Sequence, residues 1–409
     1  MAINNNFYQT VNALMEASFG GTTPIVDYSS FMDYGKTTGN LTTENIRNKF
    51  MPQLLNRIKM VLNNSVSYEG QLIDMMVSGS DVGAIIQTIM GVFYDATSNR
   101  ALTELESGVS YTDQFEYSAP DKVVLYHVDT NGKEFTISIP DVRLDAAVES
   151  PEALDAFMTS VMTDVYNSIN LAEEDERLAA LADVIVTCLA QTENNTDETM
   201  GAMNVNLLKI YNDTFGTTLG FTDEDIAQSA TVPSDPKQAL SNDSFIRWAT
   251  CVISDYSDLM AKVSTKFNKH GTDATPFKTF TKKSDQRIKL NSIWKRAILQ
   301  SRIDAFNANG ISIAPEGVAS EVLPYWQTTG DRMKVCVGSE GEGDAATAVM
   351  SPDVLAVLYD KRRVMQVVEM KDTQSAYQPR RRYTSYFFQS ASMLYSNEYC
   401  NAMVFTIKG

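Results

Sequence analysis

The stretch Arg380-Arg381-Arg382-Tyr383-Thr384-Ser385-Tyr386-Phe387-Phe388 is one of the densest aromatic and basic stretches of the chain. After a polar turn it is followed by Ala402-Met403-Val404-Phe405-Thr406-Ile407. The last residues of a domain usually fray unless other parts of the protein hold them. An apolar, strand-like tail therefore predicts that the C-terminus returns to pair in a sheet that was begun earlier.

Upstream of this tail, a turn signal stands between two apolar runs. The dipeptide Asn131-Gly132 separates residues 123–128 from Phe135, Ile137 and Ile139. Asn-Gly favours the tight primed turns of β-hairpins, so this pattern predicts a two-stranded ribbon. Because an isolated hairpin is marginal in water, we expect the ribbon to lie on its own domain or on another molecule. Its predicted contact residues are Val124, Tyr126, Val128, Asn131, Gly132, Phe135 and Ile137.

A long amphipathic helix is predicted next, with Ser150 as its N-cap and Pro151 at its first position. One apolar stripe then continues for about five turns. The stripe is formed by Leu154, Phe157, Met158, Val161, Met162, Val165 and Tyr166. A second helix is expected over residues 173–189, because the four acids at 173–176 would favour the positive end of its dipole. We interpret those acids as a solvated helix start rather than as a metal site.

The charge of the chain is unevenly distributed. The 409 residues have a net charge of -17, yet residues 262–302 hold eleven Lys or Arg against two acids, so this segment is +9 and the remainder is -26. Such segregation suits contact between copies or with a polyanion, and a solvated basic face is the alternative. The candidate charge contacts are Lys282, Lys283, Arg287, Arg380, Arg381 and Arg382.

Several function classes find little support. No apolar run approaches the ~20 residues of a membrane helix, and the N-terminus lacks the features of a secretory signal, so we expect a cytosolic protein. Only two histidines occur, which leaves almost no material for His-based catalysis or a multi-His metal site. The Gly-rich segment 338–343 carries carboxylates and no following Gly-Lys-Ser/Thr. We expect no cofactor, and we expect the four cysteines to be buried thiols.

The order of these elements resembles that of tailed-phage major capsid proteins with the HK-ninety-seven-type fold. Three shorter segments are similar to those of short-tailed phages of the phi-twenty-nine type. They are Val165-Tyr166-Asn167-Ser168, Tyr386-Phe387-Phe388-Gln389 and Asn401-Ala402-Met403-Val404-Phe405. The resemblance covers the hairpin through the second helix and the last thirty or so residues.

The resemblance implies an α+β fold with an N-terminal arm, an extended β-hairpin loop, a peripheral domain with a long spine helix, and an axial domain. The implied divisions are an arm over 1–50, a segment over 51–98 leading into the peripheral domain, the extended hairpin loop over 99–145, the spine-helix part of the peripheral domain over 146–195, the axial domain over 196–370, and a C-terminal return to the peripheral domain over 371–409.

The function implied by the resemblance is structural and not enzymatic. Copies would form pentamers and hexamers of an icosahedral shell around double-stranded DNA, with a separate scaffolding protein and a portal as partners and no membrane. Assembly would take place in the cytoplasm of a bacterial host, and the product would be the virion capsid. An encapsulin-like bacterial compartment and a nucleotide-dependent hydrolase that uses the 338–344 segment are the alternatives.

Overall fold

The computed structural model describes residues 70–78, 86–93, 122–127, 130–140, 151–194, 203–272, 277–303, 314–324, 335–340, 347–351 and 354–408. Helices and strands are both abundant there, so the mixed α+β class is confirmed. The predicted N-terminal arm, Val128 and the predicted N-cap Ser150 lie outside the described residues.

The strands, in chain order, are β1 Met76–Ser78, β2 Ile86–Gly91, β3 Lys122–His127, β4 Thr130–Pro140, β5 Glu193–Asn194, β6 Asn204–Asn206, β7 Gln286–Asn291, β8 Ala319–Leu323, β9 Val335–Glu340, β10 Thr347–Ser351, β11 Val354–Asp360, β12 Val364–Gln378, β13 Tyr383–Ser396 and β14 Ala402–Thr406. The α-helices are α1 Pro151–Leu189, α2 Leu207–Phe215, α3 Asp223–Ala227, α4 Asp243–Met260 and α5 Ser292–Ile303. Short 3-10 helices cover Ile73–Met75, Pro236–Ser241, Lys269–Thr272 and Lys283–Asp285.

The chain divides into two compact units, and each is discontinuous in sequence. Unit 1 comprises Met1–Val82, Thr130–Arg177 and Gln366–Leu394. Unit 2 comprises Gly83–Asp129, Leu178–Met365 and Tyr395–Gly409.

Unit 1 contains a four-stranded sheet in the order β1-β12-β13-β4. Strand β13 is antiparallel to β4, in a register that runs from Tyr383 opposite Pro140 to Met393 opposite Thr130. Burial alternates along β13, where Thr384, Tyr386 and Phe388 are buried and their neighbours are half-buried. Alternation with a period of two places the buried set on one face of the sheet.

The predicted Asn131-Gly132 hairpin is wrong. Strand β3 pairs with β2, whereas β4 pairs with β13. The Asn-Gly dipeptide lies inside β4, opposite Ser392 and Ala391, and makes no turn there. The local turn signal is overridden because an 11-residue strand gains a continuous ladder with β13, which a tight turn at this position would interrupt.

The two predicted helices of the central region are one. Helix α1 runs for 39 residues, so the acids at 173–176 lie inside it and not at a helix start. Glu173 and Glu174 are buried, which corrects the prediction of a solvated turn. Within this turn, Glu176 accepts hydrogen bonds from Gln366 and Ser392 of distant strands, which favours a continuous helix here.

Unit 2 is built on a six-stranded sheet in the order β5-β6-β14-β11-β7-β8. Every residue of β11 and β14 is buried, as expected for strands whose two faces are both covered. Helix α4 begins at the N-cap Asn242, whose side chain accepts a hydrogen bond from the Phe245 backbone N–H at 3.0 Å.

The core of unit 2 joins side chains from the sheet with the apolar faces of three helices. Helix members include Leu208, Phe245, Ile253 and Trp294, and strand members include Leu355, Leu358, Met403 and Phe405. The predicted C-terminal return is thereby corrected in part. Tyr383–Ser396 begins in the sheet of unit 1, but Ala402–Thr406 lies in the different sheet of unit 2. The two segments do not complete one domain together.

Candidate assembly surfaces

An exposed apolar face lies on the two-stranded ribbon that β2 and β3 form in unit 2. The antiparallel register places Ile89 opposite Val124 and Gln87 opposite Tyr126. Directly opposed residues share one face of a sheet. Ile89, Val124 and Tyr126 are 58%, 39% and 64% exposed, and we call them the exposed ribbon face. Two of the predicted contact residues, Val124 and Tyr126, therefore lie on an exposed surface.

The other face of the ribbon is held by its own chain. Thr88, Met90, Val123 and Leu125 are all partly buried. The Tyr395 hydroxyl donates a hydrogen bond to Thr88 Oγ1 at 2.7 Å, and Asn397 Nδ2 donates one to Met90 Sδ at 3.2 Å. These contacts anchor a two-stranded ribbon that would be marginal alone.

A cavity of about 210 Å³ adjoins this ribbon within unit 2. Its lining combines apolar atoms of Ile89 in the ribbon and of Phe93 just after β2 with polar groups of Thr281, Asp360 and Arg362. The polar groups already satisfy one another. Arg362 Nη2 pairs with Asp360 Oδ2 at 2.7 Å, and the Thr281 hydroxyl donates to the same oxygen at 2.8 Å. Their mutual satisfaction favours a structural role for this cluster.

The remaining predicted ribbon residues lie elsewhere. Asn131, Gly132, Phe135 and Ile137 all belong to β4 in unit 1. Phe135 and Ile137 are half-buried there, opposite Phe388 and Tyr386 of β13. These residues therefore do not form one ribbon with Val124 and Tyr126. Ile89 was not among the predicted contact residues, although the β-branched Ile86, Thr88 and Ile89 are a strand signal in the sequence.

The spine-helix residues all lie on α1. Val165 is buried, while the side chains of the other six, Leu154, Phe157, Met158, Val161, Met162 and Tyr166, lie outside what the structure describes.

Helix α1 is held in unit 1 by a buried polar network around Glu176 and Arg177. Arg177 is 2% exposed and donates to Gln366 Oε1 and to the Gln71 carbonyl, both at 3.0 Å. Glu176 accepts hydrogen bonds from Gln366 at 2.7 Å and from Ser392 at 2.5 Å. It also pairs with Lys133 at 3.0 Å. A buried charge is tolerated when it is paired and hydrogen-bonded in this way.

Gly70 shows how closely the chain approaches this network. A Cβ at residue 70 would lie 2.9 Å from Arg177 Nη2 and 3.1 Å from Glu174 Oε2. The absence of a side chain at Gly70 therefore allows the backbone to cover the guanidinium.

Three consecutive arginines occupy the turn between β12 and β13. Arg380, Arg381 and Arg382 are all exposed, and we call them the arginine tip. The Gln378 carbonyl accepts hydrogen bonds from the Arg381 and Arg382 backbone N–H groups at 3.3 and 2.9 Å. Arg382 has a φ of 53°, in the left-handed region. The arginines thus lie in a tight turn between two strands.

The basic segment 262–302 is partly neutralised by acids from outside it. Lys283 pairs with Asp258 at 2.6 Å, and Lys289 pairs with Glu321 at 2.7 Å although Lys289 is 1% exposed. Arg287 donates to the Ser284 and Gln286 carbonyls. Lys282 is exposed. Contact of this segment with another molecule stays a prediction, and several of its cations already have partners in their own chain.

Two cysteines of unit 2 are buried, as is typical of packed and not of reactive thiols. Burial raises the pKa of the Cys188 and Cys400 thiols to about 12, so both are neutral at physiological pH. Cys251 is exposed, which corrects the expectation that all four thiols are buried. Within the described ranges, no group of three or more His, Cys, Asp or Glu side chains is placed to hold a metal ion. No helix in those ranges is both long and apolar enough to cross a bilayer.

Comparison with known proteins identifies relatives among phage capsids. The chain is 25% identical over 172 residues to the major capsid protein of Bacillus phage B103, and the match covers 41% of this chain and 36% of that protein. The aligned part thus spans about a third of the length of this curated relative.

Solved structures of phage capsids are also similar to this chain. The capsid structure of Staphylococcus phage Andhra matches with a TM-score of 0.48 and 10% identity, over 84% of this chain and 85% of that chain. The capsid structure of the cyanophage P-SCSP1u matches with a TM-score of 0.44 and 12% identity, over 83% and 89%.

The family comparison extends over nearly the whole sequence. A family model described as "Phi29-like phage major capsid protein" matches residues 32–406. This range includes the ribbon, the long helix, both sheets and the arginine tip. The chain therefore belongs to the family of Phi29-like phage major capsid proteins.

Proposed function

We propose that this chain is the shell subunit of a phage head, whose copies form pentamers and hexamers that close into an icosahedral shell around double-stranded DNA. The subunit would assemble in the cytoplasm of a bacterial host and remain in the virion capsid. A separate scaffolding protein and a portal would be its partners during assembly. Membership of a capsid-protein family supports a location of the subunit in the phage head, and the exposed ribbon face supports contact between copies.

The exposed ribbon face is the observation that carries this proposal. Ile89, Val124 and Tyr126 present three large apolar side chains on one side of a ribbon whose other side is occupied. Burial of a large apolar side chain is worth about 1.5–3 kcal/mol, so covering these half-exposed residues contributes about 1 kcal/mol each. In a closed shell every subunit is surrounded by copies of itself, and a second copy is therefore the occupant that we propose for this face.

The alternative functions find less support. The segment 338–344 was the candidate nucleotide loop, but Gly338, Ser339 and Glu340 belong to β9, which pairs with β10. Backbone groups that pair in a ladder are not arranged as a phosphate cradle. An encapsulin-like compartment would need the same contacts between copies, but the family match is to phage proteins. We therefore propose a structural and not a catalytic role.

The proposal is tested by assembly of the purified protein, alone and with a scaffolding protein, followed by electron microscopy. We expect rings or closed shells from the parent protein. The double variant Val124→Ser/Tyr126→Ser should keep a normal melting curve and lose most assembly, because it makes the exposed ribbon face polar.

The matched control is Val232→Ser, which changes an apolar residue of unit 2 whose exposure, 54%, lies between those of Val124 and Tyr126, and it should assemble like the parent. If the parent forms no particle under either condition, the proposed function is wrong. If the double variant assembles normally, the function can stand but the ribbon is not the contact.

A further inference from the structure

The arginine tip stands at the end of a hairpin arm whose outer part is exposed. All residues from Gln374 through Arg382 are exposed, and the strand β1 pairs with β12 only at residues 366–368. Within the described residues, the edge of β12 beyond that pairing has no neighbouring strand. An exposed strand edge beside a charged tip is a surface that a protein partner can use.

The backbone conformation of Arg382 is unfavourable for a residue with a side chain. A φ of 53° is readily adopted by Gly, and a residue with a Cβ is strained there. The turn is closed by backbone bonds to Gln378, which Gly at 382 would preserve. Strain at an observed outlier supports a role for the residue that carries it.

The charge pattern around the tip favours a protein over DNA as its partner. Residues 374–379 carry no charge, and β13 contains no Lys, Arg, Asp or Glu. The arginine tip is therefore an isolated group of three cations on a chain with a net charge of -17. Three phosphate contacts would give a salt slope of only about 2.7, and nucleic-acid binders usually present a larger basic face.

We infer that the arginine tip binds carboxylates on a second copy of this chain. Fifty-one Asp and Glu against thirty-four Lys and Arg make every copy a source of carboxylates, and approach of two copies brings like charges together. Arginine binds a carboxylate through two parallel hydrogen bonds, which gives such a contact a defined geometry. This contact rests on the proposed shell function and uses a different surface from the exposed ribbon face.

The experiment compares three variants of the full chain. Arg380→Gln/Arg381→Gln removes two charges, Arg380→Lys/Arg381→Lys keeps them without the bidentate geometry, and Arg382→Gly removes the strained backbone and one charge. Association between copies is measured by sedimentation at low and high salt, melting by calorimetry, and binding to a short DNA duplex by fluorescence anisotropy.

We expect the Gln variant to melt like the parent, to associate about tenfold more weakly at low salt, and to lose most of the salt dependence. The Lys variant should associate more weakly than the parent and more strongly than the Gln variant. Arg382→Gly should melt about 2 °C higher and yet associate more weakly, a combination that a purely structural role for Arg382 does not produce.

Unchanged association of the Gln variant would overturn the inference. If that variant has also lost duplex binding, phosphate is the partner of the arginine tip. A parent that never associates contradicts the proposed function as well, whereas a parent that assembles beside indifferent variants contradicts only the contact at the arginine tip.

Discussion

Strand β14 and the β2–β3 ribbon both carry apolar side chains, but they differ in how much of this apolar surface the chain itself buries. Every residue of β14 is buried between β6 and β11, with a protein layer on both faces. The ribbon is packed on one face and presents Ile89, Val124 and Tyr126 on the other. Apolar surface that the chain covers itself stabilises the subunit. Apolar surface that it leaves exposed is available to stabilise contact with another copy.

The largest effect is expected inside β14. Phe405→Ala removes a side chain that is 0% exposed and lies 5.7 Å from the Tyr256 ring. Loss of a buried aromatic side chain costs about 3–5 kcal/mol. The free energy of unfolding in urea measures this loss. Phe93→Ala, at a 44% exposed phenylalanine of the same unit, is the control and should cost less than about 1 kcal/mol. Equal losses would remove the distinction between the two surfaces.

The buried side chain of Arg177 in unit 1 should stabilise the subunit, as the buried side chains of β14 do. Arg177→Ala leaves Gln366 and the Gln71 carbonyl without their donor inside the protein, and we expect a loss of about 3 kcal/mol in the same measurement. An exposed arginine of the same unit is the control, and Arg380→Ala should change the free energy by less than about 0.5 kcal/mol. A loss below 1 kcal/mol for Arg177→Ala would show that water replaces its partners.

The elements that the sequence predicts well are those whose signal is local. The continuous apolar runs of β11 and β14 predict strands without any knowledge of their neighbours. The apolar run of β14 is also typical of a central strand. Tyr383 through Phe388 does not alternate polar and apolar residues, so its one covered face could not be predicted from the sequence.

The pairing of strands and the course of α1 could not be predicted, because they depend on distant residues. Asn131-Gly132 is a good hairpin signal locally, but its strand pairs with residues about 260 positions away. The acids at 173–176 look like a helix start in the sequence, but Glu176 accepts hydrogen bonds from Gln366 and Ser392, which are 190 and 216 residues away. Of the candidate site, the exposure of Val124 and Tyr126 follows from the register of β3 on β2, which no local pattern contains.

A smaller effect is expected at the anchor of the ribbon. Tyr395→Phe removes the hydroxyl that donates to Thr88 Oγ1 at 2.7 Å, and a net loss of about 1 kcal/mol is typical for one hydrogen bond. Hydrogen exchange of the β2 amide groups should become faster, because the ribbon is less tightly held. Tyr126→Phe removes an exposed hydroxyl that accepts only a long, 3.4 Å hydrogen bond from Gln87, and should change exchange much less. Unchanged exchange in Tyr395→Phe would show that apolar packing alone holds the ribbon.

The smallest effect on the subunit separates the two faces of a single strand. Ile89 and Met90 are neighbours, and the pleat of β2 directs one outward and the other towards Asn397. Ile89→Ser should change the free energy of unfolding by less than about 0.5 kcal/mol, whereas Met90→Ser should cost about 1 kcal/mol through lost packing. Assembly should respond in the opposite order, with Ile89→Ser the more defective by electron microscopy. Equal stability losses would mean that the subunit itself covers Ile89, and the exposed ribbon face would then have no surface left to offer another copy.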